Sequence, residues 1–333
     1  MKLRGIYFPL VSQASGATNF FEGGYWFHWP LKLLGLLDLH GSGFVSKTST
    51  LPPRPGNMPL RSDGTTPREL VPRCIYVDRR NLLALNAVSL SGLGLEFLLN
   101  TGKWQKRARP FKISLMSQAP TPEARLEEIQ ESFSMLNARK REFKTSFGVQ
   151  LNGSCPNGGV DPKDLPHEAL PILDMAGRQL DPNIPLEYKF GPDAHPQAVA
   201  KIAKHKRCDS IHGLNTLKFG DYPVWARKAP RVKWKELFGT NDPKQSPMAK
   251  RFPGFPGGLS GAPLRPFVIE WVRMVRAAGV TKHIEAGDGF LHERHVDEAK
   301  EAGADSVSIG SSLFLNPRQV KRMIRRAYLI LNG

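Results

Sequence analysis

His283-Ile284-Glu285-Ala286 reads as a short β-strand. Gly287-Asp288-Gly289 follows it as a glycine-rich loop, a helical pattern covers about 293–302, and Ser306-Val307-Ser308-Ile309-Gly310 reads as another strand. Strand, helix and strand in succession make a βαβ unit, whose strands lie parallel with the helix outside the sheet. The same alternation extends back along the chain. Strands are predicted at Phe44–Leu51, Phe111–Ser117, Phe147–Asn152, Leu186–Phe190 and Ser210–Asn215. Between them, 121–138 places Leu126, Ile129, Phe133 and Leu136 on one helical face, with Thr121 as N-cap and Pro122 at the first helical position. In 266–278, Pro266 opens a helix carrying Val268, Ile269, Val272 and Val275, and Gly279 ends it. A closing helix at 317–331 sets Lys321, Arg322, Arg325 and Arg326 opposite Val320, Met323, Ile324, Ala327 and Leu331. The alternation runs nearly to the C-terminus without a linker-like break. It predicts a closed α/β (β/α)8 TIM barrel, one domain over 1–333, rather than two doubly wound domains.

Two stretches exceed a minimal barrel. Residues 52–80 are rich in Pro and Arg, and residues 218–258 are basic and Pro/Gly-rich. Loops that long are usually lids, binding loops or disordered. The apolar segment from Trp29 to Leu37 is read as a buried helix.

Composition narrows the function. Of the 333 residues, 40% are hydrophobic and 23% charged, which excludes wholesale disorder. Cys74, Cys155 and Cys208 lie far apart with no CxxC spacing, so neither a disulfide scaffold nor a Cys-rich metal site is expected. Lys plus Arg number 47 against 30 Asp plus Glu, a net charge of +17. The excess favours anionic partners, namely phosphates, carboxylates, nucleic acid or an acidic membrane face, without choosing among them. No run is long and apolar enough for a membrane span, and the start lacks the apolar core of a secretion signal. A cytoplasmic setting is expected, although a start without acidic residues up to Glu22 is also compatible with an organelle.

In such barrels the chemistry sits where strands end. Asn152-Gly153-Ser154-Cys155-Pro156-Asn157-Gly158-Gly159 ends one strand. A thiol there is either a nucleophile or base, or an inert cysteine in a turn. Lys47 and Lys189 lie within predicted strands, where a lysine either reaches solvent or faces an anion. Asn215-Thr216 ends a further strand. Glycine-rich loops at 257–261, 287–289 and 310–312 expose backbone N–H groups, which suits phosphate.

Taken in order, these pieces resemble the dihydroorotate dehydrogenase family. The resemblance spans nearly the whole chain: Ala14-Ser15-Gly16, Ser46-Lys47-Thr48, Arg54-Pro55-Gly56-Asn57, Asn86 with Leu93-Gly94, Asn152 through Asn157, Lys189, Asn215-Thr216, Gly257 through Gly261, and Ala302-Gly303-Ala304 with Ile309-Gly310. It implies a barrel binding FMN at the strand carboxyl ends, and oxidation of dihydroorotate to orotate in pyrimidine biosynthesis. Cysteine at 155 resembles the soluble class of the family. Cys155 would be the general base and Lys47 a second catalytic group. Lys47, Asn86, Val88, Ser89, Leu90, Asn152, Asn157, Asn215 and Thr216 would hold the substrate. Ala14, Ser15, Lys47, Asn152, Lys189, Gly258, Gly287, Gly289, Gly310 and Ser311 would hold FMN, the last four and Gly258 at its phosphate. No metal is implied. The resemblance further implies a homodimer and, for the branch with Gly-Gly-Leu-Ser-Gly, an iron–sulfur flavoprotein partner subunit.

The chain departs from the family pattern at named places. Ser89 stands where the family has a glycine, Asp288 replaces one glycine of a Gly-Gly pair, and Gly153 stands where an apolar residue is usual. These keep two other readings open. One is a related FMN oxidoreductase acting on another pyrimidine or enone. The other is a non-catalytic flavin barrel whose basic surface binds nucleic acid or membrane.

Overall fold

The computed structural model describes residues 1–153 and 165–332. The chain opens with a hairpin of two short strands, β1 (Lys2–Leu3) and β2 (Ile6–Tyr7). Arg4 and Gly5 turn it with φ of 44° and 83°, a pair of left-handed residues that matches the strand twist. Strand β3 (Val11–Gln13), helix α1 (His28–Leu33), strands β4 (Ile75–Asp78) and β5 (Leu83–Asn86) and helix α2 (Gly94–Asn100) follow. Strict alternation then begins with β6 (Phe111–Leu115), α3 (Pro122–Arg139), β7 (Phe147–Asn152), α4 (Leu165–Gln179), β8 (Leu186–Phe190), α5 (Pro196–Ala203) and β9 (Ser210–Gly213). Strand β10 (Leu217–Lys218), helix α6 (Trp234–Phe238) and strand β11 (Gly258–Gly261) come next. The chain ends through α7 (Arg265–Ala277), β12 (His283–Gly287), α8 (Arg294–Ala302), β13 (Ser306–Ile309), α9 (Ser312–Leu315) and α10 (Val320–Ile330).

Seven strands form one parallel sheet in the order β3-β13-β12-β9-β8-β7-β6. The sheet is curled, and buried side chains prove it. Lys112 of β6 places its Nζ 2.5 Å from Glu187 of β8 and 3.0 Å from Glu285 of β12. Ser12 of β3 donates to Glu285 at 2.5 Å. Strands from opposite edges of a flat sheet could not share one carboxylate. Segment 43–49 touches both edges: Gly43 bridges Ser12, while Val45 and Ser49 bridge Lys112 and Leu115, all in the parallel sense.

The sequence predicts a continuous strand over Phe44–Leu51, but the segment pairs only through single bridges. A side chain has taken one ladder position. Ser46 Oγ accepts from the Ser114 N–H at 3.0 Å.

Helices cover the outside. Thr121 caps α3 by accepting from Ala124 N at 3.2 Å, with Pro122 at the first position, as the sequence predicts. Val268, Val272 and Val275 of α7 are fully buried, and Val320, Met323, Ile324 and Ala327 form the inner face of α10. Each buried Val, Ile or Met here contributes about 1.5–3 kcal/mol of burial.

Two expectations fail here. The segment Trp29–Leu37 is not a buried helix. Helix α1 has only six residues, and Trp29, Leu33 and Leu34 are about 70% exposed. Its apolar residues go all round the axis, so one face alone can pack. The two insertions are also more than loops. They contribute to a four-stranded antiparallel sheet, β10-β11-β5-β4, which puts Asn86 opposite Gly258. The strands of that sheet have two to four residues each, too few for a readable alternation. No helix among the described residues is long and apolar enough to cross a membrane.

Candidate active site

Parallel strands share one carboxyl edge, and that edge collects the polar residues predicted from sequence. Ala14 and Ser15 follow β3, Asn152 ends β7, Lys189 sits one residue before the end of β8, and Asn215-Thr216 follow β9. Gly287 ends β12 with Gly289 beyond it, and Gly310-Ser311 follow β13. Hydrogen bonds tie three of these ends together. Ser15 Oγ donates to Ser46 O at 2.8 Å and lies 2.9 Å from Thr48 Oγ1, to which Asn152 Nδ2 donates at 3.3 Å. Ala14 N–H donates to Ile309 O at 2.8 Å. A second cluster forms under the small sheet. Asn86 Nδ2 donates to Gly258 O at 3.4 Å, and a Cβ on Gly258 would fall 2.2 Å from Thr216 Oγ1.

A cavity of about 300 Å³ opens beside Asn152, Gly153, Tyr188, Thr216 and Arg54. A smaller one, of about 40 Å³, lies among Asn86, Val88, Ser89, Thr216 and Gly258. Lys47 and Lys189 line neither. Cys155 and Asn157, with Ser154, lie outside the described residues.

Both lysines are buried, and neither faces a carboxylate at ion-pair distance among the described residues. Lys47 donates to Ser91 O and stacks 4.8 Å above the Phe20 ring. Burial lowers its pKa to about 7, with Cys74 nearby opposing weakly. Burial also lowers Lys189, against the pull of Asp288, Glu187 and Glu285. A buried ammonium without a counter-charge is expensive, so such groups mark places where an anion binds.

The loop after β5 departs from ordinary backbone. Ser89 and Leu90 have φ of 55° and 57°, left-handed values that favour glycine. The Val88 carbonyl holds the loop by accepting from Asn57 N–H at 3.0 Å and Ser91 Oγ at 3.1 Å. The serine that replaces the family glycine therefore sits in glycine's conformation. Ser89→Gly is expected to stabilise the fold by about 0.5–1 kcal/mol, the left-handed strain less glycine's extra chain entropy. Urea unfolding checks this, and an unchanged or lower midpoint would contradict it.

The glycine loops are only partly what the sequence suggests. Gly287 is required by packing, because a Cβ there would fall 2.6 Å from His212 Nε2. Gly289 has φ 80° and abuts the Arg265 backbone, and a Cβ on Gly310 would fall 3.1 Å from Ala14 Cβ. The expected free N–H of Gly289 is not free. Asp288 Oδ1 accepts it at 2.7 Å and accepts the Gly261 N–H at 3.1 Å. Burial pushes the Asp288 pKa up to about 6, although both N–H groups and Lys189 pull the other way.

Sequence reasoning missed a buried network nearer the amino ends of the strands. Besides Lys112, Glu187 receives Gln150 Nε2 at 2.7 Å and Ser210 Oγ at 3.1 Å, and Glu285 lies 2.8 Å from His212 Nδ1. Burial opposes the Lys112 charge, but Glu187 and Glu285 outweigh it and hold its pKa above the ordinary lysine value. Glu187, His212 and Glu285 come close enough to suggest a cation site, and the Lys112 ammonium already sits beside both carboxylates. The signal was available: each of these residues interrupts an otherwise apolar or small-residue strand.

No family model matches the chain. Among curated relatives, it is 25% identical over 320 residues to the dihydroorotate dehydrogenase B (NAD(+)) catalytic subunit of Latilactobacillus sakei, covering 95% of this chain and 87% of that protein. It is 26% identical over 191 residues to the subunit of the same name from Oceanobacillus iheyensis, where the match spans about half of each chain, 56% and 55%. Among solved structures, the DHODH of Eimeria tenella in complex with ferulenol matches the fold with a TM-score of 0.65 at 18% identity, covering 100% of this chain and 84% of that one. In sequence the chain is similar to dihydroorotate dehydrogenase B catalytic subunits at about a quarter identity, and it shares its fold with a solved DHODH.

Proposed function

We propose that the chain is a flavin-dependent oxidoreductase that oxidises dihydroorotate to orotate in pyrimidine biosynthesis. One observation carries the reading: two buried lysines, Lys47 and Lys189, lie toward the carboxyl edge with no carboxylate at ion-pair distance among the described residues. The framework proposed is a single (β/α)8 barrel domain, closed by segment 43–49 between β3 and β6.

The residues suit the nucleus of FMN. Lys189 is buried without a described hydrogen-bond partner, and Ser15 and Asn152 supply polar groups at the same edge. The phosphate end is different, because Asp288 holds two of its N–H groups. Bound flavin supplies the hydride acceptor for the C6 hydrogen of the substrate.

The chain's own residues do the rest. Lys47 pairs with the substrate carboxylate, and that anion restores the charge that burial has weakened. Asn86, Asn152, Asn157, Asn215 and Thr216 hold the cyclic imide, since each amide offers both a donor and an acceptor. Cys155 takes the C5 proton as general base. The curated relatives are named as NAD(+) catalytic subunits, which supports an electron-transferring partner subunit for this chain too.

The test is single-turnover reduction of the flavin-loaded protein. Dihydroorotate is expected to react in the parent, and Cys155→Ser is expected to slow the reaction about 10²–10⁴-fold. Equal rates would remove Cys155 as base. Ser89 favours a second reading, another pyrimidine substrate through the same flavin. Faster reaction with dihydrouracil, which lacks the carboxylate, would select it.

A further inference from the structure

An anion already sits where the end of β11 meets the loop after β12. Asp288 has φ 76° and is placed between Gly287 and Gly289. Its Oδ1 gathers the N–H groups of Gly261 at 3.1 Å and Gly289 at 2.7 Å. Two backbone N–H groups converging on one oxygen make an anion seat. In parallel barrels the loops after the last strands are where phosphate binds, and β12 precedes the last parallel strand here. The seat is therefore filled by the protein itself.

The surrounding charges do not cancel this carboxylate. From α7, Arg265 is engaged by Glu298 at 3.1 Å and by His295. From β9, His212 is engaged by Glu285 at 2.8 Å. Lys189 of β8 attracts Asp288 but lies beyond ion-pair distance. A phosphate entering this seat meets a like charge and N–H groups that are already taken.

We propose that Asp288 sets the phosphate specificity of the cofactor site: its carboxylate stands in for the phosphate, so FMN gains little over riboflavin. The proposal rests on the flavin reading above and concerns only its phosphate end. Asp288→Gly and Asp288→Asn both tolerate the left-handed backbone and remove the charge.

The test titrates FMN and riboflavin into apoprotein by flavin fluorescence at pH 7.5, in the parent and both variants. In the parent the two dissociation constants are expected to agree within about threefold. In both variants FMN is expected to tighten by about tenfold or more, with riboflavin unchanged. Unchanged riboflavin binding also shows that the variants are folded. A parent that already prefers FMN tenfold, or variants that leave the ratio unaltered, would overturn the proposal while leaving the flavin reading intact. If neither flavin binds any of the three proteins, the flavin reading fails and takes the proposal with it.

Discussion

Lys112→Met is expected to destabilise the fold by about 3–5 kcal/mol, enough to abolish folding of a marginal domain. The reason is what remains behind. Glu187 and Glu285 are both fully buried, and the Lys112 ammonium is their shared counter-charge at 2.5 Å and 3.0 Å. Without it, two carboxylates face each other across the curled sheet, with His212 at 2.8 Å from Glu285 as their remaining close basic neighbour among the described residues. Thermal melting near neutral pH checks the single variant. A triple variant, Lys112→Met with Glu187→Gln and Glu285→Gln, should recover much of the loss, because neutral amides leave no unpaired charge. Full stability in the single variant would contradict the network.

The same substitution at Lys47 should do the opposite. Lys47→Met is expected to raise stability by roughly 2–4 kcal/mol below pH 7, given about 1.4 kcal/mol per pKa unit. The sign follows from the lowered pKa. The folded protein holds Lys47 near 7 against an ordinary 10.5, so the unfolded chain binds the proton more tightly. The burial cost is complete below about pH 7 and fades as pH rises toward 10.5. The gain from Lys47→Met should therefore shrink on the alkaline side. Losing the hydrogen bond to Ser91 O and the stacking on Phe20 trims it. Under the proposed function, turnover of dihydroorotate should also fall at least about 10²-fold in the same variant, because the substrate carboxylate would lose the partner proposed for it. A variant that is both less stable and fully active would refute the assignment. Lys112 and Lys47 are equally buried, and what separates them is whether the chain supplies the counter-charge.

The frame was legible because parallel strands are buried on both faces and leave short apolar runs. Phe111–Leu115, Leu186–Phe190 and His283–Gly287 fall where the sequence predicts them, within a residue or two. Segment 43–49 was legible as extended but not as single bridges, because the Ser46 side chain competes with the ladder only once the neighbouring strand is present. Trp29–Leu37 misled because apolar content was taken for burial, and Trp29, Leu33 and Leu34 face outward. The rim residues were legible as polar side chains at strand ends. Asp288 was legible as a departure, but its grip on Gly261 depends on how the end of β11 meets the loop after β12. The Lys112 network joins residues 75 and 173 positions apart, which no local pattern displays.

The most direct test of the central claim is the visible spectrum of flavin-loaded protein on anaerobic addition of dihydroorotate. The flavin band is expected to bleach within one turnover in the parent and to persist in Lys47→Met. A protein that binds flavin and bleaches with a chemical reductant, yet keeps its band through saturating dihydroorotate, would contradict it.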